Sequence, residues 1–440
     1  MGELLDRHRA VLPNWLALYY QEPIEIVHGS GRRVTDADGT SYLDFFAGIL
    51  TNGLGYDVAE VADAVRKQLA TGITHTSTLY LIRSQVELAE RIAARSGIED
   101  AKVFFTNSGT EANETAMMLA TTYRRSNQVL AMRNSYHGRA FATVGTTGNR
   151  GWSASSLSPL NVSYLQGGYP YRSPYAGLPD ADYIAACVED LRDVLTTTTS
   201  GDVACLIAEP IQGVGGFATP PDGLFGAYAE VLSEHGILFI SDEVQTGWGR
   251  TGEHFWGIQA HDLVPDAMTF AKALGNGLAI GGLVARPDLM DCLQANSIST
   301  FGGNPMATTA ANAVLDYIEN HDLQQNASVR GNELMAGLRT LSERWPAIGD
   351  VRGKGLMVGV ELVKPDSAAP SARPGAGTRA GMPDPDAAGR VMEHAKRNGL
   401  LIGKGGLHGN VLRISPPLTV TAEEVTEALT ILSDAAEQAL

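Results

Sequence analysis

Three short stretches of this chain place polar groups just beyond runs that read as buried strands. The first is Phe270-Ala271-Lys272-Ala273-Leu274-Gly275-Asn276-Gly277, a lysine set among small and apolar residues. Desolvation lowers the pKa of an amine and makes it a nucleophile able to attack a carbonyl and form a Schiff base. The plainer alternative is a lysine that snorkels to the surface, and the glycines that follow argue instead for close backbone packing. The second is Ser241-Asp242-Glu243-Val244-Gln245, directly after Gly-Ile-Leu-Phe-Ile. An acid at the carboxyl end of a strand faces the ligand crevice of an open α/β sheet and can hold a protonated ring nitrogen, although an aspartate that merely caps the next segment is common. The third is Asn107-Ser108-Gly109-Thr110-Glu111, between a strand-like run and a helical one. Such a turn offers free N–H groups, hydroxyls and the positive end of a helix dipole, which suits a phosphate. Taken alone, it is better read as ordinary N-capping.

Together the three carry more than any one. A phosphate cradle, an acid for a ring nitrogen and a Schiff-base lysine are satisfied at once by pyridoxal 5′-phosphate (PLP). No metal pattern accompanies them. The cysteines, Cys187, Cys205 and Cys292, are far apart, odd in number and without a C-x-x-C pair. That excludes a disulfide scaffold or cysteine-rich metal site and fits a reducing compartment.

The elements that must position these groups alternate. Residues 60–70 and 84–95 have helical spacing, 102–106 reads as a strand and 109–125 as a helix. Residues 129–132, 203–208, 236–241 and 267–270 are short apolar runs, each followed by a polar or glycine-containing turn. This predicts an α/β protein with a mostly parallel sheet covered on both faces. The last third differs: a helix over 327–343, a glycine-broken strand pair over 351–362, a helix over 386–398, a strand over 411–414 and a helix over 421–439 predict a smaller α+β lobe. Between them, 364–388 is rich in Pro, Ala, Gly and Ser and reads as a flexible surface loop. The reading is therefore an N-terminal segment 1–55 joining the small domain, a large domain over 56–325 and a C-terminal small domain over 326–440.

Composition limits the partners. The 440 residues are 44% hydrophobic and 19% charged, a globular balance, and 33 Lys+Arg against 49 Asp+Glu give a formal charge of −16. Sequence-independent nucleic-acid binding needs clustered cations and is disfavoured. No apolar run approaches the ~20 residues that span a bilayer, the N-terminus carries charges where a signal peptide needs apolar residues, and Asp6 breaks the myristoylation pattern. The expectation is a cytoplasmic protein with no membrane partner. There is no G-x-G-x-x-G opening a strand–helix unit, no Walker A sequence and no G-x-S-x-G elbow, which disfavours dinucleotide oxidoreductases, P-loop enzymes and serine hydrolases.

The motifs DADGTSYLDFFAGI, FFTNSGTEANETAMMLA, YHGR, AEPIQGVGG, SDEVQTGWGRTG, FAKALGNGL, STFGGNP and VLRISPPL, running from Asp36 to Pro417, resemble the class III aminotransferases of PLP fold type I. The resemblance implies a large domain with a mostly parallel seven-stranded sheet and a smaller α+β domain. It implies that Lys272 holds the cofactor and shuttles a proton, and that Asp242 keeps the ring nitrogen protonated. Ser108, Gly109 and Thr110 would bind the phosphate; Tyr136 would stack on the ring with His137 beside it; Val244 would pack on the other face; Gln245 would reach the ring hydroxyl, and Glu209 would help position these bonds. Thr300 would complete the phosphate site of a neighbouring subunit, implying a homodimer or a tetramer built from it. Arg413 resembles the arginine that grips a substrate carboxylate through a bidentate pair. Tyr19, Tyr20, Ile49, Thr51, Tyr80 and Trp152 are candidate pocket residues.

Two departures bear on substrate. Val214 stands where glutamate- and ornithine-using relatives often carry a glutamate that pairs with the carboxylate-binding arginine and lets it withdraw. Its absence points to a fixed anchor and to the alanine–glyoxylate and pyruvate-using branch. Gly55-Tyr56-Asp57-Val58 replaces a frequent Gly-His-x-His-Pro and is expected near the pocket entrance. The implied reaction is a ping-pong transfer of an amino group from an amino acid or amine to an oxo acid, with pyruvate or glyoxylate ahead of 2-oxoglutarate. The same cofactor chemistry leaves a racemase, a decarboxylating transaminase or a phospho-lyase open; a catalytically silent PLP-fold regulator should have lost Lys272 or Asp242.

Overall fold

A computed structural model describes residues 2–367, 369–370 and 378–440. The N-terminal segment contributes three antiparallel strands, β1 (Ile26–Ser30), β2 (Arg33–Asp36) and β3 (Ser41–Asp44). The central sheet has seven: β4 (Lys102–Thr106), β5 (Gln128–Met132), β6 (Asn161–Leu165), β7 (Cys205–Ala208), β8 (Leu238–Asp242), β9 (Ala267–Phe270) and β10 (Gly281–Ala285), in the order β4-β10-β9-β8-β7-β5-β6. The pairings among β6, β5, β7, β8 and β9 are parallel, whereas β10 runs antiparallel to both neighbours, β4 and β9. Strands β5, β7, β8, β9 and β10 are buried along their whole length, as expected of strands with helices on both faces.

The C-terminal part adds the helix Leu323–Arg344, then β11 (Ile348–Lys354) and β12 (Met357–Leu362), which form the antiparallel pair the glycines of 351–362 predict. The helix begins four residues before its apolar pattern, behind Asp322 in a left-handed conformation (φ 49°), so a boundary between 325 and 326 falls inside its first turn. Of the segment 364–388, residues 368 and 371–377 lie outside the described residues. The rest includes a two-residue antiparallel pair, β13 (Ala369–Pro370) and β14 (Thr378–Arg379), and the start of the helix Pro385–Arg397. Strands β15 (Leu400–Leu401), β16 (Gly403–Gly405) and β17 (Val411–Ile414) and the helix Ala422–Ala439 follow, giving a sheet of order β11-β12-β17-β16.

Two features tie the ends of the chain together. Strand β15 lies parallel to β3, with Leu400 opposite Leu43. One hydrophobic cluster also runs from Phe45 through Phe270 of the central sheet to Leu334 and Leu412 of the C-terminal part, so both parts share a core. Arg250, 1% exposed, spans the junction by donating from Nη1 to the carbonyls of Leu356 (3.0 Å) and Pro416 (2.9 Å).

Candidate active site

The carboxyl ends of β4, β7, β8 and β9 meet around a cavity of about 140 Å³. Ser108, Gly109, Thr110, Tyr136, His137, Glu209, Asp242, Val244, Gln245 and Lys272 all line it. A larger groove of about 910 Å³, between β6 and the Leu407–His408 hairpin, contains none of these groups.

Asp242 ends β8 and is 4% exposed. Its Oδ2 accepts from Asn113 Nδ2 (2.7 Å) and lies 2.8 Å from His137 Nδ1, while its Oδ1 accepts from the Val244 amide (3.1 Å). Asn113 is itself fixed: its Nδ2 also donates to the His137 carbonyl (2.8 Å), and its Oδ1 accepts from Thr269 Oγ1 (2.6 Å) on β9. This carboxylate is oriented from three sides before any ligand arrives. His137, expected beside a ring, stands as a partner of Asp242, with Nε2 buried and unpartnered. Asn113 escaped the sequence reading. Its only signal was a polar residue one turn past Ser-Gly-Thr on the otherwise small and apolar inner face of the helix Gly109–Arg124.

Lys272 follows β9 and takes a left-handed conformation (φ 51°), a strained geometry for a side-chain-bearing residue of the kind that concentrates at functional sites. It has no hydrogen-bond or ion-pair partner among the described residues, and burial, only partly offset by Asp242, lowers its amine to about 8. At the opposite end, Ser108 caps the helix Gly109–Arg124 by accepting from the Glu111 amide (3.2 Å), so capping and anion binding are both served by this turn. The Gly109 and Thr110 amides donate to no group among the described residues. Two glycines keep the space open: a Cβ on Gly109 would stand 2.9 Å from both Val244 methyls, and one on Gly138 (φ 137°) 2.7 Å from Thr110 Oγ1. Glu209 accepts from the Tyr136 amide (2.8 Å) and the Gly213 amide (2.8 Å); burial pushes it up to about 7 against the pull of His137.

Arg413, on β17, is 2% exposed. Its guanidinium carbon lies 5.1 Å from the Phe46 ring centre and 4.7 Å from that of Phe217, and Nη2 donates to Gln245 Oε1 (3.0 Å). Nε has no partner, and no carboxylate forms an ion pair with it among the described residues. Gln245 thus joins the arginine to the cavity of Asp242 and Lys272. The Phe46 side of the stack rests on an unusual turn: Ala47, Gly48, Ile49 and Leu50 all have φ between 51° and 65°. Asp44 holds it, with Oδ1 accepting from the Phe46 and Ala47 amides (both 2.9 Å) and Oδ2 from Tyr56 (2.6 Å).

Residues 18–436 match the family described as aminotransferase class III. The chain belongs to the class III aminotransferases. It is 39% identical over 422 residues to the mitochondrial alanine–glyoxylate aminotransferase 2 homolog 2 of Arabidopsis thaliana, covering 96% of this chain and 84% of that one. It is 33% identical to an alanine/serine racemase of Pyrococcus horikoshii, over all of this chain and 90% of that one. Among solved structures, an amine transaminase from an uncultivated Pseudomonas species in its PLP-bound form superposes with a TM-score of 0.85 at 30% identity, covering 95% and 96% of the two chains. This aminotransferase is PLP-dependent and has the α/β architecture of that family, and its cavity fits the cofactor. The unpartnered lysine, the pre-oriented aspartate, the two free helix-terminal amides and the glycine-kept space are the groups PLP requires.

The outer pocket differs from the sequence expectation. Tyr20 does not reach the cavity: its hydroxyl donates to the Ile402 carbonyl (3.0 Å) and accepts from the Ile402 amide (3.1 Å), and its ring lies under Lys396. Its neighbour Tyr19 stacks on Phe46 at 5.4 Å and bears on Arg413. Trp152, half-exposed, meets the Tyr136 ring edge-on at 5.7 Å. Ile49 sits on the left-handed turn and Thr51 just after it, in right-handed conformation, with Thr51 Oγ1 donating to the Ile49 carbonyl (3.4 Å). Tyr80 and Thr300 are exposed and line no part of this chain's cavity. Within Gly55–Val58, Tyr56 bridges to Gly31, packs on Gly29 and donates to Asp44. No helix among the described residues is long and apolar enough to cross a membrane.

Proposed function

We propose that this aminotransferase moves an amino group from an amino acid or amine to a small oxo acid by a ping-pong mechanism, with pyruvate or glyoxylate ahead of 2-oxoglutarate. The observation that carries this reading is the Arg413 guanidinium, buried between two phenyl rings with a neutral amide as its hydrogen-bond acceptor. With Val214 at the position where an acid would neutralise it, it retains an unspent charge for a substrate carboxylate. The alanine–glyoxylate relative adds support.

Bound PLP supplies a carbonyl carbon and an electron-withdrawing ring. The chain supplies the rest. Lys272, with its amine lowered to about 8, is present partly as free base near neutral pH, so Nζ can attack a carbonyl and later take and return a proton. Asp242 presents its carboxyl group at the end of the cavity, kept in place by Asn113, His137 and the Val244 amide. The Gly109 and Thr110 amides, with the Ser108 and Thr110 hydroxyls, would hold the cofactor's phosphate. Tyr136 and Val244 exclude water from opposite walls. We place Thr300 in the site of a second copy of the chain. Exposed apolar residues flanking Ile82 and Thr300 in the chain, Tyr80 (70%), Leu81 (97%), Ile298 (57%) and Phe301 (58%), support a homodimer. Three free thiols, two of them buried, fit a reducing compartment, the cytoplasm in this reading.

The test is the visible absorption of the purified protein, followed while amines are added without an acceptor and then with pyruvate, glyoxylate or 2-oxoglutarate. The reading expects particular donors to bleach the band and pyruvate or glyoxylate to restore it. No band after supplying PLP, or restoration by 2-oxoglutarate alone, overturns it. The racemase relative gives a second reading, which predicts D-amino acid formed from L-amino acid with no acceptor present.

A further inference from the structure

The face of Arg413 that Phe217 covers depends on a turn closed by its own backbone, with the Gly216 and Phe217 amides donating to the Gly213 carbonyl (3.2 and 3.4 Å) and the Gln212 amide to the Ala218 carbonyl (2.9 Å), and braced from outside at the Gly216 carbonyl. Gly216 has φ 90° and Phe217, 0% exposed, has φ 51°, a left-handed conformation that is strained for a side-chain-bearing residue. The Gly216 carbonyl accepts from one residue among the described ones, Arg352 of β11, which spends two N–H groups on it, Nε at 3.1 Å and Nη2 at 2.8 Å. The remaining nitrogen, Nη1, donates to Glu361 Oε2 (2.8 Å) and Asp350 Oδ2 (2.6 Å). Glu361, on the neighbouring β12 and fully buried, is the hub. It also accepts from Tyr169, from Arg172 Nε and from Asn410 Nδ2 (3.3 Å). Burial alone would raise its carboxyl; the guanidiniums of Arg352 and Arg172 outweigh that and hold it ionised below its usual value. The Arg352 guanidinium is stacked 4.8 Å from the Tyr169 ring centre, so its plane is fixed. Gly359 leaves room for the arrangement, since a Cβ there would stand 2.6 Å from the Gly216 carbonyl oxygen.

We propose that Arg352 and Glu361 are positioning residues for carboxylate recognition: they lock the Gly216–Phe217 turn so that Phe217 keeps Arg413 stacked and aimed at the substrate. The inference rests on Arg413 being the carboxylate anchor. A purely stabilising ion cluster would use the forked guanidinium on carboxylates; here its two parallel donors go to one backbone carbonyl, in the turn next to Arg413.

The experiment compares Arg352→Met, Arg352→Lys and the isosteric Glu361→Gln in the PLP-loaded enzyme. Three readouts are used: the KM for pyruvate, the rate of the donor half-reaction with a carboxylate-free amine such as 1-phenylethylamine, and calorimetric binding of the unreactive carboxylate propionate. The expected result for Arg352→Met and Glu361→Gln is a pyruvate KM and a propionate Kd raised about tenfold or more, the size of a lost charge-assisted hydrogen bond. The amine half-reaction should change less than threefold. Arg352→Lys, which can return one donor to Gly216, should recover part of the loss. A loss shared equally by amine and carboxylate substrates, or a lower melting temperature with unchanged propionate binding, overturns the proposal. Arg413→Ala serves as the reference. If it leaves propionate binding intact, the anchor assignment itself fails; if it abolishes binding while the three variants bind normally, only the positioning role fails.

Discussion

Replacing Arg413 with methionine should weaken one property and strengthen another. In the folded protein this guanidinium is 2% exposed, hydrogen-bonds a neutral amide and has an unpartnered Nε. Burial therefore pulls its pKa down. A buried charge without a counter-ion costs stability, and replacement of such groups by apolar ones of similar volume is often worth about 1–4 kcal/mol. For a 440-residue chain the unfolding entropy is large, so that gain corresponds to a rise of only about 1–4 °C in Tm. The substrate side runs the other way. A bidentate guanidinium–carboxylate pair supplies two charge-assisted hydrogen bonds of roughly 1.5–3 kcal/mol each. Their loss should lower kcat/KM for pyruvate by roughly 10²–10⁴-fold. The donor half-reaction with a carboxylate-free amine should change less than about threefold, since no bond to Arg413 is lost. Differential scanning calorimetry and stopped-flow absorbance read both effects. A fall in Tm, or a kcat/KM for pyruvate within tenfold of the parent, would refute the reasoning.

Other substitutions test the inner cavity. Lys272→Ala should abolish turnover while the protein stays folded, read by circular dichroism beside an amino-transfer assay; near-normal turnover sinks the mechanism. Gly138→Ala puts a Cβ 2.7 Å from Thr110 Oγ1 in a left-handed backbone, and the Kd for PLP should rise about tenfold in equilibrium dialysis. In the cofactor-free protein, the rate of PLP capture should climb as pH rises through about 8, where the Lys272 amine loses its proton, and a flat profile would remove that amine as the attacking group. Glu209 is raised to about 7, so the native state holds a proton that the unfolded chain releases near 4.5. Its contribution is therefore fully present below 4.5 and is lost as pH rises towards 7. Urea titrations of Glu209→Gln should show a smaller loss of stability across that window than the parent.

Much of the inner site was legible because each group stands immediately after a short apolar strand, and a parallel sheet brings such positions to one edge. Lys272 and Asp242 are separated by thirty residues and join through the pairing of β8 with β9, where Asp242 lies opposite Thr269. What escaped had no periodic or positional signature. Strand β10 is five residues of small and apolar type in a glycine-rich stretch, so nothing local marked it as a strand, still less as antiparallel. The turn at Ala47–Leu50 is enforced by Asp44 and Tyr56 from outside, against the conformational preference of its own residues. Tyr19 and Tyr20, both candidate pocket residues in the sequence, point to different partners, one to Phe46 and one to the Ile402 backbone, a distinction that only the tertiary path settles. Arg413 stood out through the resemblance of VLRISPPL to the family's motif, but its two aromatic plates come from Phe46 and Phe217, far away in the chain.

The parallel pairing of β3 with β15 also bears on how the protein is made. Leu43 meets Leu400 only when nearly the whole chain has left the ribosome. At roughly 5–20 residues per second the N-terminal strands therefore wait on the order of 20–70 s with their outer edge uncovered. Such an edge invites pairing with another nascent chain. Yield of this enzyme in a host should then respond to slower synthesis or added chaperone more than to any change at the cavity, and trimming residues 399–440 should release the first fifty as well.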